Sequence, residues 1–451
     1  VRQGYNASLS PGYWFLGYSG PDAAYPAPQI LDQQGELVWM SNTSAMVLGF
    51  RAQTYQNESV LSYWQGEFFP VGYGHGVWNL LDTSYNLIRT VQAVGYNDSV
   101  TDLHEMQITA NNTFLVELWV ATQTDLTSVG GSTKGWTYDC IFQEIDAEGN
   151  ILFEWHSLDH VPVAQTYFGL APDVGNSADN AFNYCHLNSI DKDDDGTYLV
   201  SLRGPSTIIK VGTDGQIVWN LGGKRADFSP QIQADQATDF LYQHDARYVN
   251  DSTVNPRYIS LFDNNGVPGQ EGGDPARGML LAIDTDDMSV RLAEEYTGSS
   301  GTYSASQGSV KIQENGNAVV GFGSQPYYSE FAENGTLIYD VHFGASMNLQ
   351  SYRVWKGEWN AMPLTSPDVA VQNETVFVSW NGATNVTSWM LMSGSDAETL
   401  SPVAQFNKTG FETNFTLPTG SQDAYIAVAA YSETDELVGT SDPMALGFSG
   451  L

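Results

Sequence analysis

The chain has 451 residues, 42% of them hydrophobic and 12% aromatic, which is long enough for two domains. Asp and Glu number 52 against 17 Lys and Arg, a formal charge of −35; this excludes a nucleic-acid binder, which must neutralise phosphates, and argues equally against an anionic membrane surface. No run of about 18 apolar residues occurs, so no span of a bilayer is expected.

The chain reads as strands throughout, without a helical period. One pattern recurs along it: an apolar strand, a turn bearing Gly, then an alternating strand rich in aromatics. It runs Ile30 to Trp39, Ile145 to Trp155, Val211 to Trp219 and Phe331 to Tyr339, with degenerate copies near Asp82 and Asp284. Asp or Asn ahead of Gly between such strands marks a hairpin, because the turn needs positive φ. A second hairpin precedes each copy, so one repeat is four strands, the make-up of a propeller blade. Full blades are expected at 44–91, 101–157, 183–222, 240–297 and 305–343. A sixth is expected to join residues 13–40 to 349–360 and so close the ring without an open edge; five and seven blades are the alternatives.

Pro363 to Pro367 marks a boundary, and short period-2 strands follow from Asp368, with Trp380 early in the run. The expected architecture is all-β: a six-bladed β-propeller over 1–362 and an immunoglobulin or fibronectin-III-like β-sandwich over 363–451.

Eleven Asn-x-Ser/Thr sequons stand at Asn6, Asn42, Asn57, Asn97, Asn111, Asn250, Asn334, Asn373, Asn385, Asn407 and Asn414. That density is expected of a secreted, N-glycosylated protein, and Val1 reads as a terminus left after removal of a signal peptide. Cys140 and Cys185 are the only cysteines, and in an oxidising compartment one disulfide is expected.

Seven histidines occur, and three fall in register: His104, His186 and His244 each start the first strand of a blade. Phe114, Tyr198 and Tyr258 open the strands that follow. Equivalent positions in successive blades converge on the axis of a propeller, so these three are candidate catalytic residues. The matching stretch of the next blade carries Gln307 and Ser309. Glu105, Asn188, Asp245 and Arg247 flank the histidines, and Asp245 or Glu105 is placed to orient an imidazole. Imidazoles also ligate metals, but no carboxylate set is legible beside them, so no metal and no cofactor are expected. The chain holds no phosphate loop, no Gly-x-Ser-x-Gly elbow and no zinc helix. The acidic run Asp191 to Tyr198 lacks the last Glu of a calcium loop and reads as a solvated turn.

The segments DLHEMQIT, YCHLNSIDKDDDGTYLVSLRG and FLYQHDARYV with ISLFDN resemble the fungal arylsulfotransferase-like family, over roughly residues 25 to 360. The resemblance implies a six-bladed propeller that moves a sulfuryl group between phenols through a histidine, without a nucleotide donor. It implies His244 as the transient nucleophile, His104 and His186 as its supports, and Arg247 or Arg203 as the holder of sulfate oxygens. It also implies a link to secreted fungal proteins that join a tropolone-type o-quinone methide to a humulene-type terpene by hetero-Diels–Alder reaction. The high negative charge suits neutral substrates better than an anionic ester. The leading expectation is therefore the cyclase, with aromatic and terpenoid substrates in a funnel walled by Tyr242, Tyr352 and Trp355, and with Arg203, Arg247 and Gln307 as polar contacts. Sulfuryl transfer through His244 is the alternative, and a non-catalytic binding propeller the third reading.

Overall fold

The structure is a computed structural model that describes residues 8–96, 100–232, 236–249, 253–266, 275–299, 303–417 and 424–446. Val1 and the sequons at Asn6, Asn97 and Asn250 lie outside the described residues. It is all-β, with one four-residue α-helix at Ser157–His160 and three single turns of 3-10 helix among the described residues.

The strands pair into curled antiparallel sheets in chain order. Tyr13–Tyr18 pairs Ala27–Leu31, which pairs Leu37–Met40, and the free side of Tyr13–Tyr18 takes Val354–Gly357 from the far end of this region. Leu48–Tyr55, Glu58–Phe69, Tyr73–Leu81 and Leu87–Val91 form the next meander, and Thr101–Ile108, Phe114–Thr124, Gly135–Ile145 and Ile151–His156 the one after. A single pair, Gly76 with Thr101, joins these two into one eight-stranded sheet, a fusion that the repeat pattern did not foreshadow. Four strands between Leu187 and Gly222 follow. The next sheet runs from His244–Tyr248 to Ser289–Tyr296, with the short strand Ser229–Pro230 added in parallel. Ser309–Ile312 to Leu337–His342 form the last meander before Val354–Gly357.

The turns explain why the strands fold back where they do. Asp32 Oδ1 accepts the amides of Gln34 and Glu36, and Gly35 takes φ +85° to close the loop. Asp146 with Gly149 repeats the device. At Asp82 the glycine is replaced by Tyr85, which is forced to φ +67°, and this is why that copy looked degenerate. The acidic turn at Asp191–Tyr198 is not simply solvated: Asp193 pairs with Arg257, and Asp195 with Lys210.

The first strand of each sheet touches the first strand of the next. Leu48–Tyr55 meets Thr101–Ile108, then Leu187–Lys192, His244–Tyr248, Ser309–Ile312 and Val354–Gly357, which returns to Leu48–Tyr55. The cycle is closed. Apolar clusters fill the space between neighbouring sheets, with Trp14, Trp64, Trp78 and Trp155 fully buried. Trp64 and Trp78 donate their indole N–H to the carbonyls of Thr101 and Asp102, so two tryptophans of one sheet pin the first strand of the next.

Beyond Asp368 a three-stranded sheet (Asp368–Gln372, Thr375–Ser379, Glu412–Thr416) and a five-stranded sheet built on Ser388–Gly394 and Tyr425–Tyr431 share one core. Val376, Val378 and Phe415 from the first meet Trp389, Leu391, Ile426 and Val428 from the second. Cys140 and Cys185 correct an expectation: they are neighbouring, buried free thiols rather than a disulfide. All eight described sequon asparagines are exposed.

Candidate active site

Four strands of the cycle break register near their first residues, between Leu48 and Arg51, Thr101 and Met106, Leu187 and Ser189, and His244 and Arg247. Each irregularity re-aims side chains that regular alternation would send into the sheet faces. Positive φ at His186, Asp245 and Gln307 accompanies the turn of the chain.

The result is a cavity of about 240 Å³ at one end of the cycle, to which all six strand starts contribute: Leu48, Leu103 with His104, His186, His244, Gln307 and Tyr352 line it. The three expected histidines therefore meet. The rings of His104 and His186 are 4.9 Å apart and those of His186 and His244 6.5 Å apart. All three are buried.

Their hydrogen bonds assign distinct roles. His244 donates its Nδ1–H to Asn264 Oδ1 at 2.6 Å. The Asn264 amide is fixed in that sense, because its NH₂ donates to the carbonyls of Ser304 and Gln307. Nε2 of His244 thus keeps its lone pair, engaged only by the Gln307 N–H at 3.2 Å. His186 is the reverse: Asn183 donates to its Nδ1 at 2.7 Å and to the Val71 carbonyl, which leaves the proton on Nε2. His104 presents Nδ1 to Asp102, and Glu117 Oε1 stands 3.3 Å from the same nitrogen. Burial, followed by the charge of Arg203, pushes His186 and His244 well below the usual 6.5, so both are neutral at pH 7.

Arg203 lines the cavity and has no carboxylate within ion-pair distance among the described residues. It donates once, to the Ala305 carbonyl, and its Nε meets no acceptor. It lies over the rings of Phe168 and Tyr242, which stack 5.3 Å apart, and burial lowers it to about 10. Tyr242 thus backs Arg203 rather than walling the cavity.

Two further expected contacts lie elsewhere. Arg247 sits one layer deeper, bonded to Glu105 and Asp245, and does not line the cavity. Arg353 and Arg51 share Glu105 with it at 3.2 Å each. Burial opposes ionisation of Glu105, but Arg247, Arg353 and Arg51 outweigh it and hold the group at about 2. The expected role of Asp245 or Glu105 as orienter of an imidazole is therefore corrected, for both serve this arginine cluster. Trp355 lies under the same arginines and lines a cleft at the opposite ends of the strands, with Arg51 and Lys311. The sequence reading missed Asp102, Glu117, Asn183 and Asn264. Asp102 and Asn264 lie inside the quoted segments DLHEM and SLFDN, whereas nothing local flags Glu117. Asp102, His104 and Glu117 also form the carboxylate-bearing set that the sequence did not reveal.

The sheets of this all-β chain bring three imidazoles and a buried arginine to one cavity. The chain belongs to the arylsulfotransferase (ASST) family, whose model matches residues 51–344. No curated protein matches the chain. Solved structures similar to it include a protein of unknown function from Bacteroides caccae, 10% identical over 76% of this chain and 98% of that one, with a TM-score of 0.43. A catalytically inactive virginiamycin B lyase from Staphylococcus aureus with quinupristin is 9% identical over 84% and 94%, at 0.36. A GH43 protein from Bacillus licheniformis is 8% identical over 88% and 89%, at 0.32. No helix among the described residues is long and apolar enough to cross a membrane.

Proposed function

We propose that the chain is an arylsulfotransferase working through His244, and the observation that carries this reading is Arg203. A buried cation without a carboxylate partner is costly. In a chain of charge −35 its survival beside a neutral imidazole favours an anionic substrate group as its partner. In the proposed reaction Nε2 of His244 attacks the sulfur of an aryl sulfate, the sulfur–oxygen bond breaks and a phenolate departs. The oxygen of a second phenol then attacks the sulfohistidine, and the nitrogen–sulfur bond returns its pair to Nε2. Nε2 of His104 accepts the proton of that phenol, Nε2–H of His186 donates to the equatorial oxygens, and Arg203 offsets their charge.

The test is incubation with an aryl sulfate and a phenol. Transfer that vanishes in His244→Ala, with a sulfuryl mass adduct on the peptide holding His244, supports the reading; turnover that survives the substitution sinks it. The cyclase keeps one observation in its favour, the apolar rim of Phe68 and Val71, both partly exposed at the cavity. Formation of a dihydropyran adduct from a quinone-methide precursor and a terpene, without sulfuryl transfer, would select it.

We further infer that the sheets from Tyr13 to Gly357 are six blades of one propeller, which the closed cycle of first strands supports. The shared core beyond Asp368 supports a β-sandwich there and a division near 1–362 and 363–451. Exposure of all eight described sequon asparagines supports secretion with N-linked glycans, read out as a mass loss on endoglycosidase treatment.

A further inference from the structure

Behind His104 lies an arrangement that the reaction above does not use. Asp102 is fully buried and accepts the amides of Gly74 at 2.8 Å and His104 at 3.1 Å besides the His104 ring. Glu117, on the neighbouring strand, is fully buried as well, and neither of its oxygens accepts a hydrogen bond. The titratable groups that face it are Asp102, Glu105, Cys140 and Tyr352, together with His104. Two carboxylates therefore share one buried space with a single imidazole. Two ionised carboxylates there would leave at least one buried negative charge uncompensated, which is strongly unfavourable. One proton bound to Glu117 leaves a single negative charge, on Asp102, which already accepts three hydrogen bonds.

We propose that Glu117 is a positioning residue: as a neutral acid it donates its proton to Asp102, which in turn holds the His104 Nδ1–H, so that Nε2 of His104 is fixed as the base that lines the cavity. The role of Nε2 as base rests on the sulfuryl-transfer reading, whereas the chain of hydrogen bonds does not. Burial, then the charge of Asp102, raises Glu117 well above the usual 4.5, in keeping with the geometry. The ligand atoms of Asp102, His104 and Glu117 also lie within 4.8 Å of one another, so a divalent ion is the competing source of positive charge.

The experiment compares the wild-type chain with Glu117→Gln and Glu117→Leu. Glutamine keeps the shape and donates an N–H to Asp102; leucine keeps only the bulk. Nitrogen NMR of the histidine rings reads the His104 tautomer without any turnover. The expected result is an Nδ1–H signal preserved in Glu117→Gln and lost or exchanging in Glu117→Leu. A kcat for sulfuryl transfer that falls roughly tenfold in Glu117→Leu at unchanged KM, and recovers in Glu117→Gln, is expected alongside it. A glutamine variant that behaves as the leucine one overturns the proposal, as does a stoichiometric metal found in the wild-type protein by mass spectrometry and absent from Glu117→Gln. If no variant turns over while the NMR pattern holds, the sulfuryl-transfer reading fails and the positioning chain stands.

Discussion

Nδ1 of His244 lies 2.6 Å from Oδ1 of Asn264, and the Asn264 amide is itself locked by the carbonyls of Ser304 and Gln307. An asparagine can hold an imidazole in one tautomer without adding charge. A carboxylate in its place would draw the ring towards imidazolium and spoil Nε2 as a nucleophile.

Asn264→Ala is therefore expected to lower sulfuryl transfer at least tenfold while His244 stays in place, because the ring loses its fixed tautomer. Asn264→Asp is expected to be similarly impaired, with the histidine pKa rising as the carboxylate stabilises its cation. Steady-state kinetics over pH 5 to 8 separates the two cases. Full activity in both variants would show that the tautomer does not matter.

Arg203 carries the opposite kind of prediction. A charge-assisted hydrogen bond contributes about 1.5–3 kcal/mol, so Arg203→Met is expected to raise KM for an aryl sulfate roughly ten- to hundredfold. The same substitution removes a buried cation that has no acidic partner, so the unfolding midpoint is expected to hold or rise. A lowered midpoint with unchanged KM would make Arg203 a structural residue.

Arg203 and Arg247 show how far the sequence could be read. Both follow histidine-bearing segments, and both were assigned to the substrate. What separates them is the position of Glu105, which comes from a strand 142 residues away and bonds Arg247. No local pattern encodes that meeting. The Asp-to-Gly turns and the histidine register were legible because each is a repeat of a local rule. The pairing of Tyr13–Tyr18 with Val354–Gly357 followed from the need to cover an open edge. Glu117 and Asn183 were not legible, since the register breaks at the strand starts decide which imidazole each one meets.

Arg247→Met is expected to destabilise the fold by about 3–5 kcal/mol, because Glu105 and Asp245 stay behind in a buried layer. Its effect on KM is expected to be small, since Arg247 does not line the cavity. Urea unfolding together with kinetics decides this. A large KM change at unaltered stability would return Arg247 to the substrate site.

Four buried groups set the pH dependence of stability, and one opposes the rest: Glu117, raised well above 4.5, keeps its proton in the fold and adds stability as pH falls towards 4.5, which offsets one imidazole's share. His186 and His244 are neutral in the fold and held below 6.5, chiefly by burial and next by Arg203, so below pH 6.5 the unfolded chain binds more protons than the folded one. Stability is then lost as pH falls from 6.5. Glu105 acts in the same direction but lower down: its ionised form stabilises the fold above pH 4.5, and that contribution disappears between 4.5 and about 2. Each group contributes a slope of about 1.4 kcal/mol per pH unit at most. Denaturant unfolding is expected to weaken steadily from pH 7 to 5, and His244→Gln is expected to remove up to one proton's share of that slope. An unchanged slope in His244→Gln would mean that His244 titrates alike in the folded and unfolded chain, and its burial as a neutral imidazole below pH 6.5 would then be excluded.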